Sequence, residues 1–166
     1  MSSISLSIPC EQYLKEWFIH DSGNMHPVSL RKGSPESHLL RVLLSSKSNA
    51  HQSQSSAISS NDDLRIYIPE YRGMPADRFN HLGEAGKEAM IAIIRQRFDL
   101  RLFEDVGELI ITGAAPKKDI LWAWMERSGI SLTETNYFAV EKRFDRLRRR
   151  LRVARRIRNM RQRKKQ

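Results

Sequence analysis

Two short segments of the chain alternate apolar and polar residues with a period of two, and each ends at a proline. One is Ile4-x-Leu6-x-Ile8-Pro9 and the other is Leu64-x-Ile66-x-Ile68-Pro69. Such alternation places the apolar side chains on one face of a strand, and proline cannot donate to a continuing ladder. Because two isolated strands are only marginally stable, the sequence predicts that residues 4–8 and 64–68 pair with each other and pack on helices.

Helical periodicity covers most of the chain between and after these strands. The segment Glu11 to His20 carries an apolar stripe, and Gly23 is a plausible stop after it. Ser34-Pro35-Glu36 combines a capping serine, a proline in the first turn and an acid near the positive end of a helix. The following residues up to Leu44 are apolar nearly all round, which predicts a well-buried helix.

A third helix is predicted from Glu84 to Phe98, where a broad apolar face recurs at helical spacing. The next segment, Asp99 to Val106, is ambiguous because its pattern fits either a strand or a continued helix. Gly107 to Ala115 is expected to form a turn or loop. With the two strands, these helices indicate an α+β fold that is predominantly helical.

Residues 45–63 show no periodicity, and eight of these nineteen are Ser. So little apolar surface cannot offset the entropy of ordering a chain, so we expect a disordered loop. The two matching strands flank it, which favours a loop within one domain, and an interdomain linker is the alternative. We expect a single globular domain over residues 1–151 and a basic tail over 152–166.

Residues 116–151 resemble a helix-turn-helix in layout. A helix from about Pro116 to Ser128 would be closed by Gly129 in a left-handed conformation, with Ile130 folding back onto it. Ser131-Leu-Thr-Glu134 fits a capping box that would begin a second helix. In a helix-turn-helix the second helix enters the major groove of DNA and offers donors to phosphates and base edges.

Positive charge is concentrated at the C-terminal end. Residues 142–166 hold fourteen Lys and Arg against one acid, Asp145, a net charge of +13, whereas the chain as a whole carries +10. The rest is therefore mildly acidic, at −3. A single-sign field of this size indicates a polyanionic partner, and eleven of the fourteen cations are Arg, whose planar fork suits phosphate.

Nucleic acid is the leading partner, and DNA is favoured over RNA. We expect the contacts to come from polar and cationic side chains of the second helix and the tail. These candidate nucleic-acid-binding residues are Asn136, Lys142, Arg143, Arg146, Arg149, Arg150, Arg152, Arg155, Arg156 and Arg158. RNA binding by an arginine-rich tail that folds on its target, or docking to an acidic protein, are the alternatives.

An apolar seam on the same helix alternates steps of four and three residues. It comprises Val140, Phe144, Leu147, Leu151 and Ala154. Phe144 and Leu147 would anchor the helix on its own chain, and the seam also permits a homodimer.

Other chemistry has little support in the sequence. The single Cys10 excludes an internal disulfide or multi-Cys zinc site, and the five His show no metal-ligand spacing. We find no phosphate loop or nucleophile elbow, so no catalytic residue, metal or cofactor is expected. No apolar run is long enough to span a bilayer, and the N-terminus lacks secretory-signal features, so we expect a cytoplasmic protein without membrane contact.

Three motifs in the C-terminal part of the chain are Trp124-Met-Glu-Arg-Ser-Gly-Ile130, Thr133-Glu-Thr-Asn136 and Lys142-Arg-Phe144-x-Arg146-x-Arg148. They resemble an uncharacterised family of small proteins associated with Mu-like prophages and mobile elements of Bacteroides-type bacteria. The likeness extends to Tyr13-Leu-x-x-Trp-Phe18 and to Gly33-Ser-Pro-Glu-Ser37, among others. It implies a bacterial or phage setting and attaches no activity. The charge and the helix-turn-helix layout, and not this resemblance, predict the function, which is non-catalytic, regulatory or architectural DNA binding.

Overall fold

The structure is a computed structural model that describes residues 4–46 and 63–163, with only the backbone described at 151 and 153–163. Its elements are β1 (Ser5–Ile8), α1 (Gln12–Asp21), α2 (Pro35–Leu43), β2 (Leu64–Tyr67), α3 (Glu84–Thr112), α4 (Lys117–Arg127) and α5 (Glu134–Arg163). The expected α+β class, mainly helical with a two-stranded sheet, is confirmed.

The chain divides into two compact units, Met1–Phe98 and Asp99–Gln166, hereafter the first and second units. The single globular domain over residues 1–151 stays a prediction. Helix α3 supplies residues to both units, and no change in composition marks the division. Helix α5 also runs unbroken through residue 152, where the sequence predicted the start of a separate tail.

The predicted ribbon is confirmed. Strands β1 and β2 are antiparallel, with Leu6 opposite Ile66 and Ile8 opposite Leu64. Ile8, Leu64 and Ile66 have no exposed surface, so the period-two pattern does mark a buried face. Val28 bridges the outer edge of β2, donating its N–H to the carbonyl of Arg65 at 2.8 Å.

Helix α2 begins as the sequence predicts, but it is less buried. The Ser34 hydroxyl accepts a hydrogen bond from the backbone N–H of Ser37 at 3.2 Å, which makes it the N-cap. Leu40 is fully buried, whereas Val42 is 80% exposed. Two residues along a helix turn the side chain by about 200°, so a short helix packed on one side leaves one of the pair in solvent.

Helix α3 is longer than predicted, because it continues through Asp99–Val106 and through the expected turn at Gly107. Gly107 lies inside the helix at a cost of about 1 kcal/mol relative to alanine. A side chain there would meet the Phe103 ring, since a Cβ atom would lie 3.2 Å from three of its carbons. The turn occurs instead at Gly113, whose φ of 70° is left-handed.

The predicted Ser-rich loop lies mostly outside the described residues. Its first and last residues are described, and both make regular contacts. Ser45 exchanges backbone hydrogen bonds with His81, and Asp63 accepts a hydrogen bond from the Ser7 hydroxyl at 2.7 Å. The expected disorder of the rest of this segment falls on residues outside the described part of the chain.

Candidate nucleic-acid interface

The turn that ends α4 fixes where α5 begins. Gly129 adopts a φ of 71°, and its N–H donates to the carbonyl of Glu126. The N–H of Ile130 donates to the carbonyl of Met125 at 3.0 Å, which completes a Schellman motif. Ile130 is 2% exposed, so both the glycine stop and the fold-back predicted from the sequence are confirmed.

The predicted capping box would make Ser131 the N-cap of α5. In the structure the N-cap is Thr133. The Thr133 hydroxyl accepts from the backbone N–H of Asn136 at 3.2 Å. The Asn136 side chain reaches back and donates to the carbonyl of Ser131 at 3.0 Å. The Thr133–Asn136 bond has the spacing of a capping box shifted by two residues, but the Asn136 side chain donates to a carbonyl before the cap instead of accepting from the N-cap N–H.

A buried core anchors the first half of α5 in the second unit. The buried residues are Leu102 and Val106 of α3, Leu121, Trp124 and Met125 of α4, and Tyr137, Val140 and Phe144 of α5. Phe144 stacks on Phe103, with ring centroids 6.2 Å apart. The expected anchoring role of Phe144 is confirmed, whereas Leu147 is only half-buried. Val140 and Phe144 have no exposed surface, so they are not available for the predicted dimer seam.

Arg143, one of the predicted nucleic-acid-binding residues, forms an ion pair with Asp99. Its Nε donates to Asp99 Oδ1 at 2.9 Å, and its Nη2 donates to Oδ2. The side chains are 20% and 13% exposed. This bidentate pair occupies the guanidinium, so Arg143 is engaged within the second unit.

A second cluster links α4 to α5 through Lys117. The Lys117 ammonium lies 2.8 Å from Glu141 and 3.3 Å from Asp145. Partial burial lowers the pKa of Lys117, but the hydrogen bonds and charges of these two carboxylates outweigh it, and the pKa is raised. The hydrogen bond from Lys117 is the main reason that the pKa of Glu141 is lowered. Glu141 also accepts from the Tyr137 hydroxyl at 3.0 Å.

The outer face of α5 is cationic. It consists of the exposed side chains Lys142, Arg146, Arg149, Arg150 and Arg152, hereafter the cationic face. Within residues 4–46 and 63–150, none of the carboxylates lies within ion-pair distance of these five cations. Both acids beyond the first turn of α5, Glu141 and Asp145, bind Lys117 instead. Repulsion along this face is therefore left uncompensated by the protein.

Besides Arg143, four of the predicted site residues are not part of the cationic face as defined. Asn136 is 4% exposed and its amide donates to the Ser131 carbonyl, so this side chain is engaged in the turn before α5. Arg155, Arg156 and Arg158 belong to α5, but their side chains lie outside the described residues.

Phe138 is a surface residue that the sequence did not single out. It is 60% exposed and lies one helical turn before Lys142 on the cationic face. Its sequence spacing to the core residues Tyr137 and Val140 does not predict whether its side chain is buried or exposed. In the structure Tyr137 stacks on Trp122, with ring centroids 5.5 Å apart, and Phe138 stays exposed.

No known family model, curated protein or solved structure matches this chain. Among the described helices, none is both long and apolar enough to cross a membrane. In the same part of the chain, His, Cys, Asp and Glu side chains do not gather in groups of three or more that could hold a metal ion.

Proposed function

We propose that the protein binds DNA, with the cationic face of α5 as the contact surface. The observation that carries this proposal is the set of five exposed cations on one helix, none of them paired within the described residues. Leaving like charges uncompensated is unfavourable for the free protein. Phosphate groups would neutralise them and release bound counterions from the nucleic acid.

The shape of the surface favours double-stranded DNA. Helix α5 has 30 residues, which corresponds to about 45 Å, and a helix of this kind fits the major groove of B-DNA. The major groove of A-form RNA is too narrow for side chains to enter. In the proposed arrangement α4 and its turn hold α5 as the recognition helix of a helix-turn-helix-like unit, and the arginines after residue 152 extend the phosphate contacts.

The role we infer is regulatory or architectural rather than catalytic. The acids nearest the cationic face, Glu141 and Asp145, are both held by Lys117. They are too few, and too firmly paired, to suggest a two-metal nuclease site. A bacterial or prophage setting follows from the sequence resemblance alone and stays a prediction.

The experiment is a measurement of DNA affinity against salt for two variants matched in charge. One variant replaces Lys142, Arg146, Arg149 and Arg150 with Gln. The other replaces three Arg and one Lys that are exposed in the first unit, namely Arg31, Lys32, Arg72 and Arg78. Each phosphate contact contributes about 0.9 to the slope of log K against log salt.

The first variant should therefore flatten the slope by about 3.6 if all four contacts are made. Between 50 and 200 mM salt, the affinity of the wild type should therefore fall about 150-fold more than the affinity of this variant. The first-unit variant should bind as wild type does. Equal effects of the two variants would mean that only total charge matters, and tighter binding to RNA than to duplex DNA would favour the arginine-rich RNA alternative.

A further inference from the structure

Phe138 exposes more apolar surface than its position in the protein explains. It is 60% exposed, whereas the neighbouring aromatic residues of α5, Tyr137 and Phe144, are 7% and 0% exposed. Its ring meets Tyr137 edge to face, with centroids 5.6 Å apart and planes at 65°. Such a contact fixes the ring but buries little of it. More than half of a phenyl side chain is thus presented to solvent on a helix whose outer face is otherwise charged.

Phe138 contacts a side chain that is tied to α4 by several interactions. Tyr137 stacks on Trp122 with the rings within 6° of parallel, and its hydroxyl donates to Glu141 at 3.0 Å. Glu141 is in turn held by Lys117 of α4 at 2.8 Å. A ring mounted on such a base keeps its direction, which is the property required of a side chain that discriminates between ligands.

The position of Phe138 matches that of a base-contacting residue. It is the fifth residue of α5, and in helix-turn-helix proteins the N-terminal residues of the second helix contact base edges. Lys142 follows one turn later, about 6 Å along the helix axis, so the cationic face begins beside the ring. The net positive charge of that face favours nucleic acid over an apolar protein partner.

We propose that Phe138 makes the protein prefer a thymine at one position of its DNA site, through apolar contact with the C5-methyl group. This inference rests on the proposed DNA binding. In the major groove the thymine methyl is the apolar group that a base pair presents, and Phe is among the side chains that contact it. Two of the predicted nucleic-acid-binding residues, Asn136 and Arg143, are occupied within the protein, so neither supplies this preference.

The test begins with selection of binding sites from a random duplex library by the full-length protein. Each thymine of the selected site is then replaced by uracil, which removes only the methyl group. At one position this replacement should lower the affinity of the wild type about fourfold, because burying one methyl-sized group contributes about 0.8 kcal/mol. The Phe138→Ala variant should bind thymine and uracil equally well at that position, and Phe138→Leu should retain part of the difference.

Two controls separate this inference from the proposed function. Phe138 carries no charge, so Phe138→Ala should leave the salt slope unchanged. Val42→Ala, which alters an apolar residue that is 80% exposed in the first unit, should change neither affinity nor discrimination. Circular dichroism checks that each variant is folded.

Every outcome bears on one of the two proposals. If the protein binds no DNA at low salt, the proposed function fails and this inference fails with it. DNA binding without an enriched sequence, without any thymine preference, or with the preference intact in Phe138→Ala would overturn the inference alone. A Phe138→Ala defect confined to single-stranded DNA would overturn it too, because it would indicate stacking on an unpaired base.

Discussion

Arg143 and Arg146 are three residues apart on α5, yet we expect their replacement by Ala to affect different properties of the protein. Arg143 binds Asp99 through two hydrogen bonds between charged groups, and both side chains are mostly buried. Arg146 is exposed and has no ion-pair partner within the described residues. Arg143→Ala should therefore reduce stability, and Arg146→Ala should reduce DNA affinity.

The size of the Arg143 effect follows from the geometry of the pair. Hydrogen bonds to charged groups contribute about 1.5–3 kcal/mol, and removing one partner of a fully buried pair costs about 3–5 kcal/mol. With Asp99 13% and Arg143 20% exposed, we expect a loss of about 2–3 kcal/mol in the free energy of unfolding. For a protein of this size that lowers Tm by about 4–12 °C. Arg146→Ala should stay within about 0.5 kcal/mol of wild type.

Urea denaturation followed by circular dichroism measures the stability of both variants. A double-mutant cycle with Asp99→Asn isolates the pair, and we expect a coupling free energy of about 1–3 kcal/mol. Arg143→Lys offers a milder variant, because it keeps the charge but loses the bidentate geometry. Arg143 would act in DNA binding and not in stability if Arg143→Ala unfolds at the wild-type urea concentration and weakens DNA binding as much as Arg146→Ala does.

Four further outcomes are expected. Deleting residues 153–166 should weaken binding to all DNA sequences alike and flatten the salt slope, and a loss of sequence preference would contradict this. Gly129→Ala should cost about 1–2 kcal/mol in chemical denaturation because φ is 71°, with Gly83→Ala, at an ordinary φ, as the control. Thr133→Ala should cost about 1 kcal/mol while Thr133→Ser retains stability; equal losses would exclude the hydroxyl cap. The pKa of Glu141 is lowered in the folded protein, so its contribution to stability is present above its unfolded pKa and is lost as pH falls through the folded value. Glu141→Gln should remove this loss of stability at acid pH.

The sequence by itself determined the local structure wherever the deciding interaction spans only a few residues. Ser34 as a cap, Gly129 as a helix stop and the alternation in the two strands all depend on backbone groups within five positions or on a period of two. It also determined the sign of the charge on α5, because charge is a property of composition. These features agree between sequence and structure for that reason.

The competing local signals around Gly107 and Ser131 were decided by packing. A glycine weakens a helix, but the Phe103 ring lies over Gly107 and stacks on Phe144, so this packing outweighs the propensity of one residue. Both Ser131 and Thr133 can cap a helix. Thr133 does so because Ile130, three residues before it, is buried and sets where the chain can turn.

Only the tertiary structure decided which side chains of α5 are free to bind a partner. Asp99 is 44 residues from Arg143, and Lys117 is 24 residues from Glu141. No local pattern distinguishes Arg143 from Arg146 or predicts that Asn136 is buried while Phe138 is exposed. Those assignments depend on where α3 and α4 place their carboxylates, ammonium group and aromatic rings, because ion pairs and ring stacking act between side chains that the fold brings together.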